Sequence, residues 1–198
     1  LDIVKFFQES NFFKFIKLGI PRKGLMSTER FYSLLEQTLK AETFEELNIP
    51  IIINATELNA GRNVYFDQGT LIDKLIASAS IPIVLNPAEI DGKQYVDGGI
   101  FCNMPAKIIR PRCKKLVGVH VNPIIRNGHS DNILEIAERV YHLTIQSNTV
   151  DEKQVCDIVI EPKEAKNFGM FEISKSMELF EIGYQTAMKA FEKNPLLS

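Results

Sequence analysis

The period of the apolar positions changes along this chain, and the changes mark its elements. The opening LDIVKFFQESNFFKFIKLGIP carries Ile3, Val4, Phe6, Phe7, Phe12, Phe13, Phe15 and Ile16 at mixed helical spacings, with Gly19 and Pro21 ending the pattern. One or two short helices are expected there. The phenylalanines read first as a core-facing stripe, with an acyl-chain or membrane-facing surface as the alternative. Ser27 and Thr28 suit the cap of a helix reaching about Lys40, in which Phe31, Leu34, Leu35 and Leu39 recur at i, i+3, i+4 and i+8. Thr43 with Glu46 has the spacing of a capping box for a very short helix, and Pro50 releases the chain into the buried strand IIINATEL.

A turn around Gly61 leads to a second strand, Asn63 to Phe66, ended by Asp67 and Gly69. Thr70 and Asp73 then cap the helix LIDKLIASAS, which must stop near Ser80 because Pro82 disfavours helical geometry at Ile81. AEIDGKQYV reads as a hairpin, its Asp91-Gly92 pair supplying the positive φ angles of a two-residue turn. KKLVGVHV, broken by Asn122-Pro123, and QVCDIVIEP are β-rich runs. Helical patterns follow the first, over residues 131–148, and the second, over 174–192. Strands alternating with helices, in runs without polar alternation, predict a single α/β domain over residues 1–198. Its expected form is three-layer, with a largely parallel central sheet flanked by helices and decorated by β-hairpins.

Composition narrows the function classes. The 198 residues carry a net charge of −2, without the basic surplus of a nucleic-acid binder, so no nucleic-acid partner is expected. Cys102, Cys113 and Cys156 lack C-x-x-C spacing and suit reduced thiols in a cytoplasmic protein better than a disulfide framework or a zinc site. The longest apolar runs are strand-length, short of the roughly 20 residues that cross a bilayer; peripheral membrane association stays open. The chain begins at Leu1 already inside an amphipathic pattern, which suggests a fragment.

The chemistry concentrates in YVDGGIFCNMP. Asp97 falls at a strand end, where open α/β sheets put catalytic groups. Gly98 and Gly99 free the backbone for conformations closed to other residues and let another segment approach. Ile100 and Phe101, with Ile81, Val84 and Leu85 before them, would exclude water and move the acid toward use as a base. The bland alternative is a D-G-G turn whose aspartate bonds its own backbone.

Several motifs in order resemble the patatin-like phospholipase family: Gly24-Leu25, ATEL followed by Gly61, ASASIP from Ala77 to Pro82, YVDGG, then Asn103-Met104-Pro105. The likeness continues through KKLVGVHVNP and ELFEIGYQTA. The resemblance implies a serine hydrolase acting on phospholipids or other acyl esters through a Ser-Asp dyad. Asp97 would be the base, Gly98 and Gly99 would support it, and no cofactor or metal is implied. A serine hydroxyl needs such a base because it is barely ionised at neutral pH. None of the chain's serines sits in G-x-S-x-G, and no glycine-rich oxyanion loop is present. The nucleophile elbow is therefore expected ahead of Leu1, in a segment required for activity, with at least one strand-helix-strand unit of roughly 30 residues. The competing reading is a noncatalytic membrane-surface or protein-interaction module.

Other polar residues point to structural roles. Ser80 suits a helix-end serine bonded to a carbonyl. His120, His129 and His142 show no pairing typical of metal ligands, and packing or surface roles are expected. Glu57 reads as a hydrogen-bonded carboxylate at a strand end. As a cation ligand, Asp97 would supply only one carboxylate, whereas a calcium site takes several oxygens.

Overall fold

A computed structural model describes residues 28–82, 85–121, 133–168 and 173–194. The phenylalanine-rich opening, Gly24-Leu25, Ser27, Val84, Asn122-Pro123 and His129 lie outside them. The described residues divide into two units, one ending at Cys102 and the other beginning at Asn103.

The first unit opens with helix α1 (Thr28–Thr38), whose apolar spacing lays Phe31 and Leu35 against a buried cluster of Ala55, Ile76, Ala77, Ala88 and Tyr95. Leu39, just past the helix, joins a second cluster of Phe44, Ile53 and Leu71. Burying a leucine-sized side chain stabilises by about 2 kcal/mol, and Leu71 is only 2% exposed. The short 3-10 turn Phe44–Glu46 forms where the capping box was expected, but Thr43 makes no side-chain cap. Glu46 reaches back to the amide of Glu42 instead, at 2.9 Å.

Strands β1 (Ile53–Glu57) and β2 (Arg62–Phe66) form a hairpin, closed by Gly61 at φ 59° with its amide donating to the Glu57 carbonyl at 2.9 Å. Helix α2 (Ile72–Ala79) follows, with the Thr70 hydroxyl donating to Asp73 at 3.0 Å just before it. Then β3 (Ala88–Ile90) and β4 (Lys93–Asp97) make the second hairpin, whose Asp91 and Gly92 both take positive φ, 50° and 71°. This is the backbone of the expected two-residue turn.

The four strands lie in the order β2-β1-β4-β3, and every neighbouring pair is antiparallel. The expectation of a largely parallel central sheet is corrected here. For two of the three pairs the reason is connectivity: tight turns fold β1 onto β2 and β3 onto β4, and a chain reversed by so short a loop can pair only antiparallel. The continuous apolar run of β1 was a weak guide. It reports burial, which a central antiparallel strand shares: four of its five residues are buried.

The second unit supplies the parallel pairing. Strand β5 (Val117–Val119) and strand β6 (Ile158–Ile160) pair in parallel, Val117 opposite Ile158, with a long helix between them in sequence. That helix covers Ile133–Lys153, five residues beyond its expected end. A last helix, Ser176–Glu192, matches its expected end and starts two residues late. Two four-residue helices, Gly99–Cys102 and Ala106–Ile109, were not foreseen. The chain is a mixed α/β protein. Among the described residues no helix is long and apolar enough to cross a membrane.

Candidate functional site

Asp97 is the last residue of β4 and is half-buried. Its place is fixed through its main chain by two other segments of the first unit. Opposite it on β1 lies Ala55, and the Thr56 hydroxyl donates to the Asp97 carbonyl at 3.0 Å. From the other side, the Asp97 amide donates to the carbonyl of Ser80 at 2.9 Å. The three sequence segments ATEL, ASASIP and YVDGG therefore meet at this one residue. Oδ1 of the carboxylate accepts the amide of Gly99 at 2.6 Å, the local bond that a D-G-G turn offers its aspartate.

Of the two roles expected of the glycines, unusual backbone angles and the close approach of another segment, only the second is used, at Gly98. Among the described residues the glycines with positive φ are Gly61, Gly69 and Gly92, so neither Gly98 nor Gly99 uses the left-handed region. Gly98 is instead required by close approach. A Cβ there would lie 2.4 Å from Asn54 Nδ2 and 2.6 Å from the Asn54 carbonyl oxygen, too near for any side chain. Gly99 is buried and opens the short helix Gly99–Cys102, whose first turn closes when the Gly98 carbonyl accepts the amide of Cys102 at 2.9 Å.

The apolar surroundings are uneven. Leu85 is buried, while Ile81 and Ile100 are half-buried. Phe101, expected to help exclude water, is 47% exposed. A cleft of about 470 Å³ opens elsewhere in the same unit, among Tyr32, Asp73, Ile76 and Glu89, and no residue of the Asp97 turn lines it. The charge of Asp73 chiefly, with desolvation and Glu36, pushes the Tyr32 hydroxyl pKa up, so that cleft is acidic in character.

The other polar residues take structural places. Ser80 is fully buried, and its hydroxyl donates to the Ile76 carbonyl at 2.7 Å. Glu57, 5% exposed, accepts Arg62 Nε at 3.0 Å, with Lys93 Nζ at 3.8 Å. In the second unit, His120 follows β5 and is 2% exposed. Its Nδ1 faces Glu161 at 2.7 Å, and Lys153 donates to the same carboxylate oxygen at 2.5 Å. Desolvation opposes ionisation of Glu161, but the bonds from Lys153 and His120, with their charges, outweigh it and hold the carboxyl below its usual range. Among the described residues no three His, Cys, Asp or Glu converge as a metal site.

Asn54 and Thr56 were not singled out in the sequence. Strand alternation puts both on one face of β1, opposite to core-facing Ala55. An asparagine within an otherwise apolar run was the signal that could have found this face.

The family model described as patatin-like phospholipase matches residues 2–109, over half of the chain and all of the Asp97 turn. An uncharacterized NTE family protein of Mycobacterium bovis is 34% identical over 87 residues, covering 44% of this chain and 24% of that protein. Patatin-like phospholipase domain-containing protein 2 of Mus musculus is 27% identical over 184 residues, covering 90% of this chain. The chain spans 24% and 35% of these two relatives' lengths. With the matched span reaching past the aspartate and both glycines, the chain belongs to the patatin-like phospholipase family.

Proposed function

We propose that this chain is part of a lipid acyl-ester hydrolase, of phospholipase A or esterase type, working through a Ser-Asp dyad. Asp97 serves as the base that takes the proton of a serine, and that serine lies outside the 198 residues. Gly98 and Gly99 keep the turn tight enough for the hydroxyl to reach the carboxylate. The observation that carries the reading is the convergence on Asp97 of three segments, through the Ala55 pairing, the Thr56 hydroxyl and the Ser80 carbonyl. A rigidly held carboxylate at a strand end suits general-base work, because proton transfer demands hydrogen-bond reach before it demands basicity. The patatin-like domain so completed would span all of residues 1–198 plus the elbow segment, in three layers. Its substrate is a lipid or other acyl ester, met in the cytoplasm with peripheral membrane contact. By itself the chain would be inactive.

The test uses the protein with the residues encoded ahead of Leu1 and a chromogenic medium-chain ester. Asp97→Asn keeps the shape of the side chain and removes its basicity, so turnover should fall on the order of 100-fold or more. Turnover within a few-fold of wild type would remove Asp97 from the chemistry. The absence of G-x-S-x-G from the chain also favours a second reading, a noncatalytic membrane-surface or protein-interaction module. A fluorophosphonate probe separates the two: specific covalent labelling of the extended protein at a serine contradicts the noncatalytic reading.

A further inference from the structure

We infer that Asn54 is a positioning residue for the Asp97 turn, acting through Gly98 and Cys102 without touching substrate. This rests on the reading of Asp97 as the base. The helix Gly99–Cys102 is four residues long, far too short to hold its own geometry. Its shape is imposed by what it is tied to. At its start, the tie is the pairing of Asp97 with Ala55, reinforced by the Thr56 hydroxyl at 3.0 Å. At its end, Asn54 Nδ2 donates to the Cys102 carbonyl at 2.7 Å. Both ties come from neighbouring residues of one strand, so β1 holds the turn at both ends.

The same amide also sets how deep the turn sits. Asn54 Nδ2 occupies the space where a Cβ on Gly98 would be, 2.4 Å from that position. The turn thus rests on the Asn54 side chain at Gly98 and is bonded to it at Cys102. An apolar side chain here would leave the carbonyl of Cys102, a residue 8% exposed, without this donor. Smaller side chains would let the turn move toward β1, carrying with it the Gly99 amide that orients the Asp97 carboxylate at 2.6 Å. Displacement of a base by a fraction of an ångström changes the rate of proton transfer more than it changes substrate affinity.

The experiment compares Asn54→Ala, Asn54→Ser and Asp97→Asn in the protein extended ahead of Leu1, with kcat, KM, the pH profile of kcat/KM and the melting temperature measured for each. Asn54→Ala is expected to lower kcat about 10-fold with KM within about 2-fold, and to move the acid limb of the profile, which reports the base. Asn54→Ser, which keeps a short donor, should fall between it and wild type. If both variants fold and match wild type in kcat and acid limb while Asp97→Asn abolishes turnover, Asn54 is not a positioning residue and the dyad reading survives. If Asp97→Asn itself keeps turnover, the dyad reading fails first. Failure of both Asn54 variants to fold overturns the inference as well, because the residue then belongs to the frame of the sheet and not to the adjustment of the turn.

Discussion

Buried polar atoms in this protein divide into those with partners and those without, and the division decides what a single substitution does. Glu57 and Ser80 are satisfied, and their roles were legible in the sequence because each bonds within five residues of itself. Asn54 was not legible, because the carbonyl it holds lies 48 residues further along the chain. The reason for Gly98 was legible in part: a glycine pair suggests both unusual φ and the approach of another segment, and the cause is the second, the Asn54 side chain arriving from another strand. On β2, both amide atoms of Asn63 are buried without a hydrogen-bond partner, and so is Nε2 of His120. An unsatisfied buried amide costs about 1–3 kcal/mol. Asn63→Leu, close in shape, is therefore expected to raise stability by about 1 kcal/mol, read as a higher urea midpoint with an unchanged slope. A lowered midpoint would mean that the amide meets a partner in the folded protein.

Among whole elements, kinds were easier to read than pairings. Apolar period located nearly every long helix and strand of the described residues, since burial dictates period whatever the neighbours are. The orientation of the sheet escaped, because turn chemistry decides two of its three pairings locally: Gly61 and Asp91-Gly92 were each recognised as turns, yet their consequence, the antiparallel pairs β1-β2 and β3-β4, outweighs the α/β alternation of the chain. The helix Ile133–Lys153 shows the same logic in its two faces. Ile145 is 3% exposed, while Val140 on the outer face is 57% exposed. Ile145→Ala should cost about 2–5 kcal/mol, and Val140→Ala no more than about 0.5 kcal/mol. Urea melts of the two variants check this; equal losses would show that the outer face is covered too.

Across the whole molecule, charge is nearly balanced at −2, so its dependence on pH is set by particular groups and not by general repulsion. Three of them belong to the second unit. Asp157 is held below the usual carboxylate range by its hydrogen bond from Arg110 and that from the Leu116 amide, against a smaller desolvation effect. Glu161 is likewise low, as its bonds from Lys153 and His120 overcome desolvation. Cys156 is pushed up by desolvation first, then by the charges of Glu152 and Asp157, with Arg110 opposing. A carboxylate whose folded pKa is depressed adds stability above its unfolded pKa, about 4, and that contribution is lost as pH falls through the folded value. A thiol whose folded pKa is raised acts in the other direction: its contribution is complete below the unfolded value, about 8.5, and is lost as pH rises toward the folded one. Stability should therefore fall on both sides of neutrality. Asp157→Asn is expected to flatten the acid limb and Cys156→Ala the alkaline one, each leaving the opposite limb in place. Unfolding free energies measured from acid to alkaline pH for both variants test this through their slopes, which do not depend on the packing lost with each side chain. An acid slope unchanged in Asp157→Asn would mean that the Arg110 bond does not hold in solution, and the tie it makes between the turn Arg110–Arg112 and the segment before β6 would go with it.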